Sequence, residues 1–260
     1  MGDAAAPGFT RLQAPPHWRC IDFASDLHLQ PSMPHTLAVW RRWLDESDAD
    51  ALFLLGDLFE VWVGDDAIDA IEGLDFAREC AALLWRASRR RPVHVMHGNR
   101  DFLIGADFAR HTGTALLADP CVLDFAQQRW LLTHGDALCI DDTAYMAFRA
   151  EVRGAAWQQG FLSQTLAQRQ QQVASMRAQS RAHQQQRGLP GDADLPTACR
   201  WMDAAQAPLM IHGHTHRPQD QRIDDRHTRL VLADWDCDSG PARAEVLRID
   251  RSGWQRRALA

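Results

Sequence analysis

Five short segments of this chain carry side chains of the kind that hold metal ions: Asp26 with His28, Asp57, Asn99, His134, and His214 with His216. Each directly follows an apolar run. A mixed set of carboxylate, imidazole and amide suits Mn²⁺, Fe²⁺ or Zn²⁺ better than Ca²⁺. Asp57 stands at the centre, in the stretch ALFLLGDLFEVWVGDD. Ala51–Leu55 reads as a short buried strand, Gly56 breaks it, and Asp57 is left at its carboxyl end. In open α/β sheets, ligands gather at the carboxyl ends of strands. A carboxylate there is costly unless something positive meets it. Its two oxygens can bridge two ions, and two metals about 3.5–4 Å apart can clamp a phosphate and stabilise in-line displacement. The expected chemistry is phosphoryl hydrolysis at two metals that share Asp57. Taken singly, each segment reads as well as a turn or a cap; the ordered set at strand ends argues for a site. The i, i+2 spacing of Asp26/His28 and His214/His216 puts each pair on one side of an extended segment.

The elements that must position these residues follow from the hydrophobic pattern. Trp18–Ala24, Ala51–Leu55 and Val93–Met96 read as strands. Pro34–Ser47 and Leu74–Arg90 have helical spacing, and Pro92 stops the second. Strand–helix–strand alternation predicts a parallel sheet covered by helices. Val122–Phe125 and Arg129–Thr133 read as a hairpin, and Pro208–Ile211, Leu230–Ala233 and Ala244–Ile249 as further strands. Asp141–Gln206 differs: it is rich in Gln, Ala and Arg, and shows helical spacing. Its stretch 143–190 holds six arginines (149, 153, 169, 177, 181 and 187) and one acidic residue, Glu151. It reads as an inserted helical lid.

At 260 residues, with 46% apolar and 24% charged residues, the chain fits one α/β domain with an insertion. A net charge of −6 disfavours general nucleic-acid binding. All 28 basic residues are arginine, which excludes a Schiff-base lysine. The six cysteines are scattered without a CxxC pair and read as small buried residues rather than disulfides. No apolar run approaches the roughly 20 residues that cross a bilayer. The N-terminus lacks a signal pattern, so a cytoplasmic location is expected, with residues 1–17 as a disordered extension and 18–260 as the domain.

The ordered set Asp26-Leu27-His28, Gly56-Asp57, Gly98-Asn99-Arg100-Asp101, His134-Gly135-Asp136 and Gly213-His214-Thr215-His216 resembles the calcineurin-like metallophosphoesterase superfamily. The resemblance implies an α/β (α+β) fold: a β-sandwich flanked by helices, with the helical lid inserted. It implies one metal at Asp26, His28, Asp57 and His216 and a second at Asp57, Asn99, His134 and His214. Catalytic roles would fall to Asp57, Asn99, Arg100, His134 and His214, with Asp101 and Asp136 orienting ligands from behind. Many members carry His where this chain has Arg100. Arginine is a poor proton donor but stabilises phosphoryl charge. That suits a leaving group needing no proton, and so a pyrophosphate.

The runs SDLHL, LGDLFEVWVGDD, HGNRDF, THGD with DDTAYMAFR, MRAQS and IHGHTHRP resemble the UDP-2,3-diacylglucosamine hydrolase family of lipid A biosynthesis, from Ile21 to about Asp236. What that resemblance implies is water attack on the α-phosphorus of an acylated UDP-glucosamine, giving UMP and 2,3-diacylglucosamine 1-phosphate, with two Mn²⁺ per chain. Substrate contacts would be Asn99, Arg100, Asp142, Ser180, Gln184, Arg187 and His214; the family often has Asn and Lys at the positions of Gln184 and Arg187. Tyr145, Phe148, Val152, Trp157, Phe161 and Leu162 would line a groove for acyl chains, and lid arginines would favour an anionic membrane surface. The expected place is the cytoplasmic face of the inner membrane, held peripherally, with no protein partner implied. Rival readings are a phosphodiesterase acting on a soluble nucleotide, a non-catalytic scaffold, and a nuclease.

Overall fold

The computed structural model describes residues 6–69, 75–187 and 191–260, with the side chains of 179–187 left out. Its centre is β3 (Ala51–Leu55), buried along its whole length. It pairs in parallel with β2 (Cys20–Ala24) and β4 (Val93–Met96). β5 (Ala115–Leu117), β11 (Glu245–Asp250) and β12 (Gly253–Ala258) complete one sheet in the order β12-β11-β2-β3-β4-β5. The second sheet runs β1-β6-β7-β8-β10-β9. Its strands are β1 (Thr10–Gln13), β6 (Cys121–Phe125), β7 (Gln128–Leu132), β8 (Leu209–His212), β9 (Gln219–Arg222) and β10 (Thr228–Val231).

Side-chain alternation separates the layers. Phe23, Phe53, Met96, Leu123, Leu132 and Ile211 meet between the two sheets. Leu52, Leu54, Val93 and Val95 face outward, against α1 (Pro34–Glu46), α2 (Asp75–Ser88) and α3 (Ala106–Thr112). On the far side Val122, Leu131 and Met210 pack on Trp201, Met202 and Ala205 of α7 (Leu195–Ala205). Asp22 of β2 keeps the alternation but breaks the apolar pattern: it is buried on the helical side, where Arg248 donates to both its oxygens at 2.6 and 2.9 Å and Ser47 donates to one.

Three sequence expectations need correction. Thr10–Gln13 is not a disordered tail but an edge strand in parallel register with Cys121–Asp124; residues 1–5 lie outside the described set. The insertion is narrower than 141–206, because α7 belongs to the sandwich. The lid is α4 (Thr143–Val152), α5 (Ala155–Leu162) and α6 (Leu166–Arg187). The second predicted helix begins at Leu74 in sequence, which is outside the described residues. All six cysteines are free, but Cys20, Cys199 and Cys237 are half-buried rather than buried. Among the described residues, no helix is long and apolar enough to cross a membrane.

Candidate metal centre

Three strands of the first sheet and two of the second end at one place, and the backbone there turns sharply. Asp26 N–H donates to Gly56 O at 3.1 Å, and His28 N–H to Asp57 O at 3.0 Å, which ties the loops after β2 and β3 together. Asp26, His28, Asp57, His214 and His216 all have left-handed φ values of 54°, 49°, 52°, 67° and 52°. Non-glycine residues adopt that region at a cost, and they do so where surroundings enforce it. The extended segments expected for the two pairs are therefore kinked, which turns both side chains of a pair inward. The Asp101 carboxylate accepts from Leu58 N and Gly98 N, both at 2.7 Å, and from Asp57 N at 3.3 Å, bracing the turn that presents Asp57. A Cβ on Gly98 would strike the Asp57 carboxylate, and one on Gly213 would strike that of Asp26.

All seven candidate metal ligands converge. His28 Nε2 lies 3.2 Å from His216 Nε2, 4.0 Å from Asp26 Oδ1 and 3.9 Å from Asp57 Oδ2. The other Asp57 oxygen, Oδ1, is 3.6 Å from His134 Nε2. Asn99 Oδ1 sits 3.1 Å from His134 Nε2 and 2.9 Å from His214 Nδ1. His134 is aimed from behind, with Nδ1 2.9 Å from the Leu55 carbonyl. His214 N–H donates to Asp26 Oδ2 at 2.9 Å, and Arg100 N–H to Asp57 Oδ1 at 2.8 Å. Asp57 thus has one oxygen toward each of two ligand groups.

The electrostatics fit divalent cations. Burial raises the Asp57 carboxyl above its ordinary range, against the pull of His134 and His28. Burial works the same way on Asp26, but His216, His134 and His28 outweigh it and hold that carboxyl low. Burial opposes a charge on His134, yet Asp57, Asp26 and Asp136 push it up to about 9. Burial and the neighbouring His134 push His214 down to about 3. Two buried carboxylates are drawing positive charge inward, and the buried Asp26 Oδ1 accepts no hydrogen bond among the described residues. Two groups, Asp26–His28–His216 and Asp26–Asp57–His134, have ligand atoms within 4.8 Å of one another. The donors present fit a pair of divalent ions. A further group, Cys199, Asp224 and His227, sits on the far side of the sandwich. There His227 has Asp224 and Asp203 on its two nitrogens at 2.9 and 3.2 Å, and the cluster is satisfied as an ion-pair knot.

The lid is fastened to these loops. Asp136 accepts from Tyr145 Oη at 2.7 Å, Arg149 Nε at 2.8 Å and Arg153 Nη2 at 3.2 Å, so it holds α4 rather than a ligand. Arg153 also donates to Gly98 O at 3.0 Å. Arg169 pairs with Asp66, and Arg177 with Glu60. Four of the six lid arginines therefore point into the body, not toward a membrane; the side chains of Arg181 and Arg187 lie outside the described set. The expected acyl groove divides as well. Val152 and Phe161 are buried, and Trp157 stacks on Phe161 at 4.8 Å, whereas Phe148 and Leu162 are 41% and 43% exposed.

Of the candidate substrate contacts, Asn99 and His214 are inside the centre. Arg100 is half-buried beside it, and its buried Nε has no hydrogen-bond partner among the described residues. Asp142 caps α4, its Oδ1 accepting from Tyr145 N at 3.0 Å. Ser180, Gln184 and Arg187 fall in α6, but their side chains lie outside what is described. Sequence reasoning missed the roles of Glu60 and of Arg149 and Arg153. The Tyr145, Arg149 and Arg153 spacing, four residues each, was the available signal for the last two.

This geometry, dinuclear ligands at the ends of two packed sheets, defines a class. A calcineurin-like phosphoesterase model matches residues 21–218, and the chain belongs to that family. Within it, a Stenotrophomonas maltophilia protein named UDP-2,3-diacylglucosamine hydrolase is 40% identical, over 92% of this chain and 98% of its own length. Proteins of the same name from Chromobacterium violaceum and Bordetella parapertussis are 43% and 40% identical. They match over 83% and 89% of this chain and 90% and 92% of their own lengths.

Proposed function

We propose that this chain hydrolyses the pyrophosphate of UDP-2,3-diacylglucosamine, releasing UMP and 2,3-diacylglucosamine 1-phosphate for lipid A synthesis, with two Mn²⁺ as the working ions. The observation that carries the reading is Asp57, whose two oxygens face His28 and His134 at 3.9 and 3.6 Å. Bound divalent ions would supply Lewis-acid stabilisation of phosphoryl oxygens and a more acidic water. The chain does the rest. Asp57, Asn99, His134 and His214 fix the donor geometry, and the Arg100 guanidinium meets charge that grows on the phosphoryl oxygens. When water adds at the α-phosphorus, the bond to the bridging oxygen breaks and the lipid phosphate departs as an anion. It needs no proton, which is why arginine serves at position 100.

Peripheral attachment at the cytoplasmic face of the inner membrane belongs to the same reading. Its support is apolar rather than electrostatic: Phe148 and Leu162, exposed on the lid, and Ile140, exposed in the loop that leads into it, suit acyl chains. Hydrolysis in H₂¹⁸O with mass spectrometry of both products tests the reaction. The label is expected in UMP. Label in the lipid phosphate, or turnover of soluble nucleotide diesters at equal rates, would overturn the assignment.

A further inference from the structure

His28 is held from behind by a residue that also touches the lid. Its Nδ1 lies 2.9 Å from Glu60 Oε2, a close contact whose angle falls short of a hydrogen bond, while Nε2 faces Asp26, Asp57 and His216. The other oxygen of Glu60, Oε1, pairs with Arg177 of α6, and Arg177 Nη1 donates to the Glu60 carbonyl at 3.3 Å. The Glu60 N–H donates to Leu29 O at 3.1 Å, next to His28 in the chain. One half-buried carboxylate thus spends one oxygen on an imidazole of the metal centre and the other on the lid.

We propose that Glu60 is a positioning residue that links lid seating to His28, so that docking of α6 and retention of an ion at Asp26, His28 and His216 strengthen each other. The proposal rests on the metal-centre reading above. A carboxylate on the far nitrogen of a ligating histidine fixes the ring and raises its basicity. Arg177 in turn fixes that carboxylate through a charge-assisted contact and a second bond to the backbone. Withdrawal of α6 frees the carboxylate, and with it the imidazole. By linkage the effect runs both ways: whatever the lid adds to ion affinity, the ion adds to lid closure. The clamp between Asp66 and Arg169 offers a contrast, because Arg169 bonds Asp66, Val63 O and Gln164 O and no ligand.

Cobalt titration of the apoprotein, followed by visible absorption, compares wild type with Glu60→Gln, Arg177→Gln and Asp66→Asn. Hydrogen exchange in α6 is measured with and without cobalt. Glu60→Gln should weaken binding roughly 10–100-fold. Arg177→Gln, whose side chain touches no ligand, should weaken it at least about 5-fold. Asp66→Asn should bind as wild type does. Cobalt should slow exchange of α6 in wild type and not in Glu60→Gln. Wild-type affinity in Arg177→Gln, or an equal loss in Asp66→Asn, would overturn the link while leaving the metal centre intact. A wild-type protein that takes no cobalt would overturn both. If Glu60→Gln does not fold, Arg177→Gln and the exchange data decide alone.

Discussion

Asp57 and Arg100 sit side by side and should fail differently. Asp57→Ala removes an oxygen donor from both ligand groups, so metal content by elemental analysis should collapse along with turnover. Near-normal metal content would contradict the shared-ligand role. Arg100→Ala should keep both ions and slow the chemical step by roughly 10²–10³, the range seen when one transition-state donor is lost. Away from the centre, His94 of β4 stacks on Phe53 at 4.5 Å, and neither ring nitrogen finds a partner among the described residues. Burial pushes its pKa down to about 4 from an ordinary 6.5. The unfolded chain therefore takes up the proton first, and stability is lost as pH falls from about 6.5 toward 4. The full contribution is about 3 kcal/mol. His212, buried and likewise held at about 4, acts with the same sign. His94→Phe should flatten the Tm profile across that window; an unchanged slope would exclude His94 as its source.

The lid is the element where composition misleads most. Six arginines over one acid read as a cationic surface, and the count was right. The partners of Arg169 and Arg177 were not legible, because Asp66 and Glu60 lie more than 100 residues earlier in sequence, in loops that only the folded sheets bring near, whereas Asp136 stands just 13 residues before Arg149. Asp136 is buried, and although burial opposes its charge, His134, Arg153 and Arg149 hold its carboxyl well below the usual range. Asp136→Ala strands the half-buried Arg149 guanidinium and the Tyr145 hydroxyl, and leaves Arg153 with only the Gly98 carbonyl to donate to among the described residues. With Asp136 fully buried, it should cost about 3–5 kcal/mol, and it should accelerate hydrogen exchange in α4 before the sheets respond. Uniform acceleration through the whole chain would mean that the lid has no separate stability.

At the scale of the molecule, what the sequence revealed follows how each strand is stabilised. β2, β3, β4, β7 and β8 are interior strands whose burial writes apolar runs into the chain, so both the strands and the ligands at their ends were legible. β1, β9 and β12, with sequences TRLQ, QDQR and GWQRRA, were not. They pair through backbone hydrogen bonds and leave much of their side-chain surface in water, so no hydrophobic period marks them. Removing residues 1–13 should therefore lower Tm by several degrees in calorimetry, since β6 would lose its parallel neighbour. A Tm equal to that of the full chain would mean that β1 adds nothing. The kinked ligand backbones escaped for another reason: left-handed φ at Asp26 or His214 comes from tertiary pairing, not from local propensity.

The ligands leave two different sheets: Asp26, His28, Asp57 and Asn99 follow β2, β3 and β4, whereas His134, His214 and His216 follow β7 and β8. An ion held among them would act as a rivet through the seam of the sandwich at one rim. Among the described residues, the opposite rim, closed by the Phe125–Gln128 hairpin, brings together no ligand set drawn from both sheets. Chelation should then unzip the molecule from the riveted rim, and calcineurin-like chains of this kind would owe part of their heat resistance to the same atoms that perform their chemistry.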